Sequence, residues 1–159
     1  MLVCCFGILG LPCDIVSIWY SNLVNIEVAR AFLRDNHRCV MGTIRKDGGV
    51  QLSPVLVVMR DDSSILISSR ETAIKTKNLR RSPRAFLCVF RDSFFGQWVQ
   101  LEGQVDIQSL PDAMHGLVEY YRLASGEHPD WDEYRRAMIN EKRVLITMTP
   151  DRIGPTVSG

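Results

Sequence analysis

The sequence predicts an α+β fold whose core is a small, mostly antiparallel β-barrel with helices around it. Consecutive hydrophobic strands are joined by short turns, of which residues 46–49 form the clearest. Strands and helices do not alternate regularly, which argues against a doubly wound parallel sheet. Residues 98–107 alternate between apolar and polar side chains, as expected for a strand with one buried face.

The first predicted elements are a helix and a hairpin. The helix covers residues 26–36, where apolar side chains recur at helical spacing, and Asn25 can cap it. Strands are predicted at 39–44 and 50–58, on either side of an Asp-Gly pair that tolerates the positive φ of a tight turn. Pro54 lies inside the second strand and cannot donate to a ladder, which predicts an edge strand or a bulge there.

The rest of the chain is read from the same signals. The predicted elements are strands at 65–69, 85–90, 98–107 and 143–149, a short helix that ends before Ser82-Pro83, and two helices that end near residues 126 and 140. Ser109 and Asp130 are the predicted caps of the last two helices. Gly103, on the apolar face of its strand, predicts the close approach of another backbone. Pro150 is expected to end the final strand.

Composition indicates a single domain with a real core. The chain has 159 residues, of which 46% are hydrophobic and 23% charged. A formal net charge of +1 gives no global basic field, so a nucleic-acid partner is not expected. The five cysteines are odd in number and include no C-x-x-C pair, which fits neither a disulfide framework nor a zinc site. We expect reduced thiols and a cytoplasmic location.

The first 22 residues differ from the rest, because they are almost wholly apolar. Pro12 and Asp14 interrupt the run, which disfavours a membrane span, and a secretory signal's basic region is missing. We therefore expect an apolar extension, residues 1–22, in front of a domain covering 23–159. The extension could pack on the domain or on a partner subunit, or could derive from an upstream start codon.

Residues 65–84 carry the strongest functional signal, in the sequence ILISSRETAIKTKNLRRSPR. A strand ends in hydroxyl-bearing side chains, Ser68, Ser69 and Thr72, and a helix capped by Thr72 would direct free N–H groups at the same space. Lys75 would lie in the first helical turn, where a cation is unfavourable unless an anion compensates it. The pattern predicts an anion site. The alternative interpretation is a solvated basic helix carrying Lys77, Arg80 and Arg81.

Catalytic patterns are missing from the sequence. It contains no G-x-S-x-G elbow, no Walker loop and no G-x-G-x-x-G fingerprint. His37 with Cys39, and His128 with Asp130 and Asp132, could be drawn as metal sites, but the role of Asp130 as a helix cap disfavours the second set and metal binding is expected at neither. A protein with an anion site and no catalytic constellation either binds a ligand passively or relies on a cofactor for its chemistry.

Several segments carry a family resemblance. SSRETAIKTKNLRRSPR, the preceding hairpin TIRKDGGVQLSPV and the later WVQLEGQVDI resemble the flavin-binding split β-barrel superfamily that includes pyridoxamine 5′-phosphate oxidase. YRLASGEHPDWDEYRRAM and KRVLITMTP resemble more narrowly its actinobacterial-type, deazaflavin-dependent group, which uses coenzyme F420. The resemblance covers roughly residues 26–154. It implies a split barrel and a homodimer with the cofactor at the subunit interface.

The resemblance also implies site residues. Lys75 matches the lysine that contacts the cofactor phosphate, and Ser68 and Ser69 match the strand-end positions beside it. Where the oxidases carry an arginine before that lysine, this chain has Ile74. The strand along the ring is matched by Ser53, Pro54 and Val55, and Trp98 falls where the oxidases have a glutamine near the ring.

These replacements remove charge and polar ring contacts, which favours coenzyme F420 over FMN. Lys77, Arg80 and Arg81 could then meet the carboxylates of the longer deazaflavin tail. The chain ends in Val157-Ser158-Gly159 without the oxidases' Arg-x-His motif, so pyridoxamine phosphate oxidation is not expected. The leading hypothesis is an F420-dependent oxidoreductase that passes a hydride to a small-molecule organic acceptor. An FMN-dependent enzyme of the same fold and a non-catalytic cofactor carrier are the alternatives. No membrane partner is expected.

Overall fold

The computed structural model describes residues 26–93 and 96–158, with the side chains of 155–158 left out. Within this part of the chain, the helices are α1 (Ile26–Asp35), α2 (Ile74–Arg81), α3 (Met114–Ser125) and α4 (Trp131–Asn140). The strands are β1 (Arg38–Ile44), β2 (Val50–Leu56), β3 (Val58–Met59), β4 (Ile65–Arg70), β5 (Arg84–Phe90), β6 (Gln97–Ser109) and β7 (Arg143–Ser158). No helix among these residues is both long and apolar enough to cross a bilayer.

The strands form one antiparallel sheet in the order β2-β1-β5-β6-β7-β4-β3. The sheet curls into a half-barrel so that β2, at one edge, also approaches β4 near the other edge. Hairpins join β1 to β2, β3 to β4 and β5 to β6, whereas β1 pairs with β5 and β4 with β7 over longer distances along the chain. The predicted α+β split-barrel fold is confirmed. The gap between β2 and β4 is the split of the barrel.

Alternation along the strands places one face of each in the barrel core. Met41 of β1, Leu87 of β5 and Leu101 of β6 have at most 1% of their surface exposed and lie in one cluster. Burial of apolar area of this kind is the main favourable term in folding. The predicted pattern in residues 98–107 is confirmed for Val99 and Leu101, which are buried, while Val105 and Ile107 pack on the cluster's edge.

Three predicted backbone features are confirmed. Gly48 has a φ of 82° in the turn between β1 and β2, a conformation that glycine adopts without steric cost. Pro54 pairs only with Val40, because β2 is an edge strand of the sheet. Gly103 lies against the backbone of Thr149 and Pro150, and a Cβ atom there would clash with the Thr149 carbonyl.

A second, smaller core lies where α3 and α4 cover the outer face of β4 and β7. Leu117 of α3 and Met138 of α4 pack there on Leu66 and Leu145. Asp130 caps α4 as predicted, since its carboxylate accepts hydrogen bonds from the backbone N–H groups of Asp132 and Glu133. This helical layer places aromatic side chains beside the barrel split.

Three local predictions were wrong. Helix α2 begins at Ile74 after Ala73 and has no side-chain cap, so Thr72 does not cap it. Ser109 ends β6 and is hydrogen-bonded to Arg80 and Glu71, whereas α3 begins only at Met114. Strand β7 continues through Pro150 to Ser158, because a register shift against β6 tolerates the missing N–H group. Asn25 and residues 1–22 lie outside the described residues.

Candidate functional site

A cavity of about 770 Å³ opens at the barrel split. Its walls come from the ends of β1, β2, β4, β5 and β7 and from α3 and α4. The lining residues are Arg38, Cys39, Pro54, Val55, Leu56, Ser68, Phe90, Tyr120, Tyr121, Tyr134, Met138 and Arg143. The volume is in the range of protein sites for small organic ligands, and most of the lining is apolar.

The helical wall of the cavity is aromatic and held in place by hydrogen bonds. The Tyr134 hydroxyl donates to the Leu117 carbonyl at 2.8 Å, and the Tyr121 ring packs edge-on against Tyr134 with 5.1 Å between centroids. The Tyr120 hydroxyl donates to the Leu56 carbonyl at 3.2 Å and thereby joins α3 to β2. Burial raises the pKa of Tyr134 to about 12, so this phenol stays neutral. The wall offers a rigid, uncharged surface to a planar ligand.

One end of the cavity is cationic. Arg70 of β4 and Arg143 of β7 lie directly opposite each other in the strand pairing, and Arg143 lines the cavity. Both guanidinium groups donate to Glu141 Oε2, at 2.9 Å from Arg70 Nη2 and 3.0 Å from Arg143 Nε. These hydrogen bonds, from Arg70 first, hold the pKa of the Glu141 carboxyl below its usual range. The single carboxylate neutralises only part of this charge.

Lys75 adds to the same charge. It is half-buried in the first turn of α2, where burial, then Arg143 and Arg70, lower its pKa. Among residues 26–93 and 96–158, no side chain forms a hydrogen bond or ion pair with its ammonium group. The site therefore keeps an excess of positive charge, as expected for a place that receives an anionic ligand.

The hydroxyl groups predicted at the strand end do not all face the cavity. Successive side chains of a strand point to opposite faces. Ser68 consequently lines the cavity, whereas Ser69 is buried and its hydroxyl lies 3.0 Å from that of Thr76. Thr72 is exposed in the turn before α2. Of the three hydroxyls, the structure brings only Ser68 to the cavity.

The predicted residues of β2 are also placed differently from one another. Pro54 and Val55 line the cavity. Ser53 is buried, and its hydroxyl accepts a hydrogen bond from Gln51 Nε2 at 2.9 Å. Gln51 in turn accepts a hydrogen bond from Asn78 of α2 at 3.3 Å. Ser53 thus belongs to a polar network that joins α2 to the β1–β2 hairpin.

The remaining predicted cations are placed away from Lys75 or are already paired. Arg80 forms a bidentate pair with Glu71, at 2.8 and 2.7 Å. Arg81 donates to the Ile44 carbonyl at 2.7 Å. Lys77 is exposed on α2. Trp98 is half-buried at the start of β6, opposite Phe90 in the strand pairing, and is not part of the cavity wall.

Sequence reasoning missed the aromatic wall and the arginine pair. The spacing of the tyrosines in α3 and α4 is that of a core-facing stripe, which predicts helix packing and gives no sign of a cavity wall. Arg70 and Arg143 are 73 positions apart and meet only through the β4–β7 pairing. The available signal was one arginine at the end of β4 and another at the start of β7. No local pattern indicates that these two strands are neighbours.

The side chains that could be drawn as metal sites make other contacts in the structure. Asp130 caps α4, and the His128 ring packs against Tyr121 with 5.0 Å between centroids. His37 Nδ1 lies 3.0 Å from the Val57 carbonyl. In the part of the chain that the structure describes, no three histidine, cysteine or carboxylate side chains are grouped as metal ligands.

Comparison with protein families gives a match over most of the chain. The family described as pyridoxamine 5′-phosphate oxidase matches residues 26–156. This range contains all of the helices and strands that surround the cavity.

Solved structures share the fold at low sequence identity. A conserved hypothetical protein from Mycobacterium tuberculosis is 23% identical, with a TM-score of 0.68, over 84% of this chain and 85% of that one. An F420 reductase is 18% identical, with a TM-score of 0.59, over 79% and 95%. HutZ, the heme storage protein from Vibrio cholerae, is 12% identical, with a TM-score of 0.62, over 86% and 98%. At these identities the likeness concerns the fold.

Proposed function

Because this chain belongs to the pyridoxamine 5′-phosphate oxidase family, we propose that it is an oxidoreductase that uses coenzyme F420. The observation that carries the proposal is a cavity with an aromatic wall and with Arg143 in its lining, next to which lie Arg70 and Lys75. Such a cavity suits a planar redox cofactor that bears a phosphate. The similarity in fold to an F420 reductase supports the choice of cofactor.

The donor set fits a phosphate. Arg143 and Ser68 line the cavity, and the half-buried Lys75 lies close enough to Arg143 for the two charges to interact. Guanidinium groups offer several N–H donors to phosphate oxygens, and an ammonium group adds a point charge. The aromatic wall and the apolar residues of β2 would then contact the ring system.

The protein's own contribution would be binding and orientation. When bound, the deazaflavin supplies a hydride to an electron-poor organic acceptor. Lys75, Arg70 and Arg143 would hold the phosphate, while Pro54 and Val55 would position the ring. The neutral Tyr134 and its neighbours would exclude water from that end of the cavity. Lys77 would contribute only weakly, because an exposed ion pair with a tail carboxylate is worth at most ~1 kcal/mol.

The proposal includes a homodimer. The outer face of β1, β2 and β5 exposes a groove of about 470 Å³ lined by Val40, Gly42, Ile44, Val50, Leu52, Phe86, Leu87, Cys88 and Gln100. Leu52 has 67% and Val50 55% of their surface exposed, which is unusual for large apolar side chains clustered on one face. A second copy of this chain would cover the groove and bring the two cofactor sites to the subunit interface.

Two alternatives use the same cavity. FMN also carries a ring and a phosphate, and the sequence resembles a flavin-binding superfamily. A non-catalytic carrier is supported by the missing acid–base constellation and by the similarity in fold to a heme storage protein. Both alternatives require ligand binding at the cavity but differ in ligand or in turnover.

The test is a titration followed by a turnover assay. Purified protein is titrated separately with coenzyme F420, FMN and heme, and binding is followed by fluorescence or absorbance. Tighter binding of F420 supports the proposal, and tighter binding of FMN or heme contradicts the choice of cofactor. Reduced F420 is then mixed with quinones, nitro compounds and tetrapyrroles. Oxidation no faster than that of the free cofactor would identify a carrier.

A further inference from the structure

Four guanidinium nitrogens surround a single oxygen atom beside Arg143, which lines the cavity. Arg70 Nε and Nη2 lie 3.1 and 2.9 Å from Glu141 Oε2, and Arg143 Nε and Nη2 lie 3.0 and 2.8 Å from the same atom. In the described part of the chain, Glu141 Oε1 accepts no hydrogen bond. This crowding on one oxygen is unlike an ordinary bidentate arginine–carboxylate pair, in which both oxygens are used.

The charges around this oxygen do not balance. Arg70 and Arg143 are direct neighbours across β4 and β7, a pairing that is unfavourable for like charges. Lys75 is close enough to both for their charges to lower its pKa. Glu141 supplies one negative charge against three positive ones. The carboxylate reduces the repulsion among the three cations but leaves a net positive charge.

The Glu141 side chain can also rotate away from the two arginines. It directly follows α4, which ends at Asn140, and 37% of its side chain is exposed, so rotation toward solvent meets little obstruction. The side chain of Arg143, by contrast, is only 26% exposed and lines the cavity. Arg143 is therefore the more fixed partner of this contact, whereas Glu141 and Arg70, whose side chain is 58% exposed, are freer to move.

We propose that Glu141 is an internal competitor for the anion site: its Oε2 holds the position between Arg70 and Arg143 that a ligand phosphate oxygen takes on binding. The identity of the ligand rests on the proposed function, whereas the competition rests on the arginine geometry. The carboxylate stabilises the cationic cluster when no ligand is bound and moves aside for a phosphate. Glu141 thus sets how tightly the site binds an anion.

The test uses Glu141→Gln, which keeps the side-chain shape and removes the charge. Glu133→Gln is the matched control, because Glu133 is an exposed residue of α4 with the same chemistry. Affinities for FMN, coenzyme F420 and inorganic phosphate are measured by titration, each ligand separately. We expect Glu141→Gln to bind about fivefold more tightly, the equivalent of one exposed ion pair. The control should change affinity by less than about twofold.

Thermal melting supplies a second readout. Without ligand, Glu141→Gln should melt at a lower temperature than the wild type, since the cationic cluster has lost its carboxylate. The stabilisation produced by saturating phosphate should be larger in the variant.

Unchanged or weaker ligand binding in a folded Glu141→Gln protein would overturn the competition and leave the proposed function standing. If both cofactors fail to bind either protein while inorganic phosphate binds the variant more tightly, the proposed function fails and the competition holds.

Discussion

The hydroxyl oxygens of Ser69 and Thr76 lie 3.0 Å apart, and both side chains are buried. Thr76 also donates to the Arg70 carbonyl at 2.8 Å, so that Ser69 must donate to Thr76. Through these two hydrogen bonds the end of β4 is fastened to the first turn of α2. The orientation of that turn determines where Lys75 meets Arg70 and Arg143.

Replacing Thr76 with valine should destabilise the protein. The change keeps the shape of the side chain and leaves the buried Ser69 hydroxyl without its acceptor, which costs about 1–3 kcal/mol. The free energy of unfolding in urea measures the effect. Thr72→Val is the matched control, because Thr72 is exposed and caps nothing. Equal losses for the two variants would contradict the role assigned to Thr76.

Removing the ammonium group of Lys75 should weaken cofactor binding. We expect Lys75→Ala to raise the dissociation constant of the preferred cofactor at least tenfold, roughly the effect of losing one charge-assisted hydrogen bond to phosphate. Lys46→Ala serves as the control, since Lys46 is exposed in the β1–β2 turn. Circular dichroism should show the same fold in both variants. Unchanged affinity in Lys75→Ala would place the phosphate elsewhere.

Cofactor affinity should fall at alkaline pH. In the free protein, burial and two arginines lower the pKa of Lys75, and a bound phosphate would raise it again. Binding therefore takes up a proton between the two pKa values, so the contribution of Lys75 is complete below its free-protein pKa and is lost as the pH rises from there through the higher pKa of the complex. Titrations across the range test this. Lys75→Arg, which stays charged, should show a smaller decline.

A charge on the outer apolar face should break the proposed dimer. Leu52→Glu places a carboxylate in the groove where the second subunit would pack, and burying it there unpaired is strongly unfavourable. Light scattering should report a dimer for the wild type and a monomer for the variant. Leu123→Glu changes an exposed leucine of α3 and should remain dimeric. A monomeric wild type would contradict the assignment of this face.

Most of the fold could be predicted from local patterns. The alternation in residues 98–107, the Asp-Gly turn before Val50 and the proline in β2 each act over a few residues. Their physical causes, strand periodicity and backbone sterics, are therefore visible in the sequence. The local predictions that were wrong, at Thr72, Ser109 and Pro150, involved side chains or backbone groups whose partners come from other elements.

The candidate site shows where sequence reasoning reached its limit. Lys75 and Ser68 were predicted because a strand end followed by a basic helix is a local pattern. The orientation of β4 decides which of the adjacent hydroxyl groups faces the cavity. The Ser69 side chain points away from the cavity and is buried. Arg80 was also predicted to contact the ligand, but it is already paired with an acid earlier in the chain, Glu71.

Neighbouring residues alone set the strands, the turns and the basic helix, and Pro54 indicated an edge strand or a bulge. The meeting of Arg70, Arg143 and Glu141 beside Lys75 depends instead on the pairing of distant strands. Their encounter requires β4 and β7 to pair across about half of the chain. Long-range strand pairing is set by the closure of the whole barrel, which leaves no trace in the spacing of any single segment.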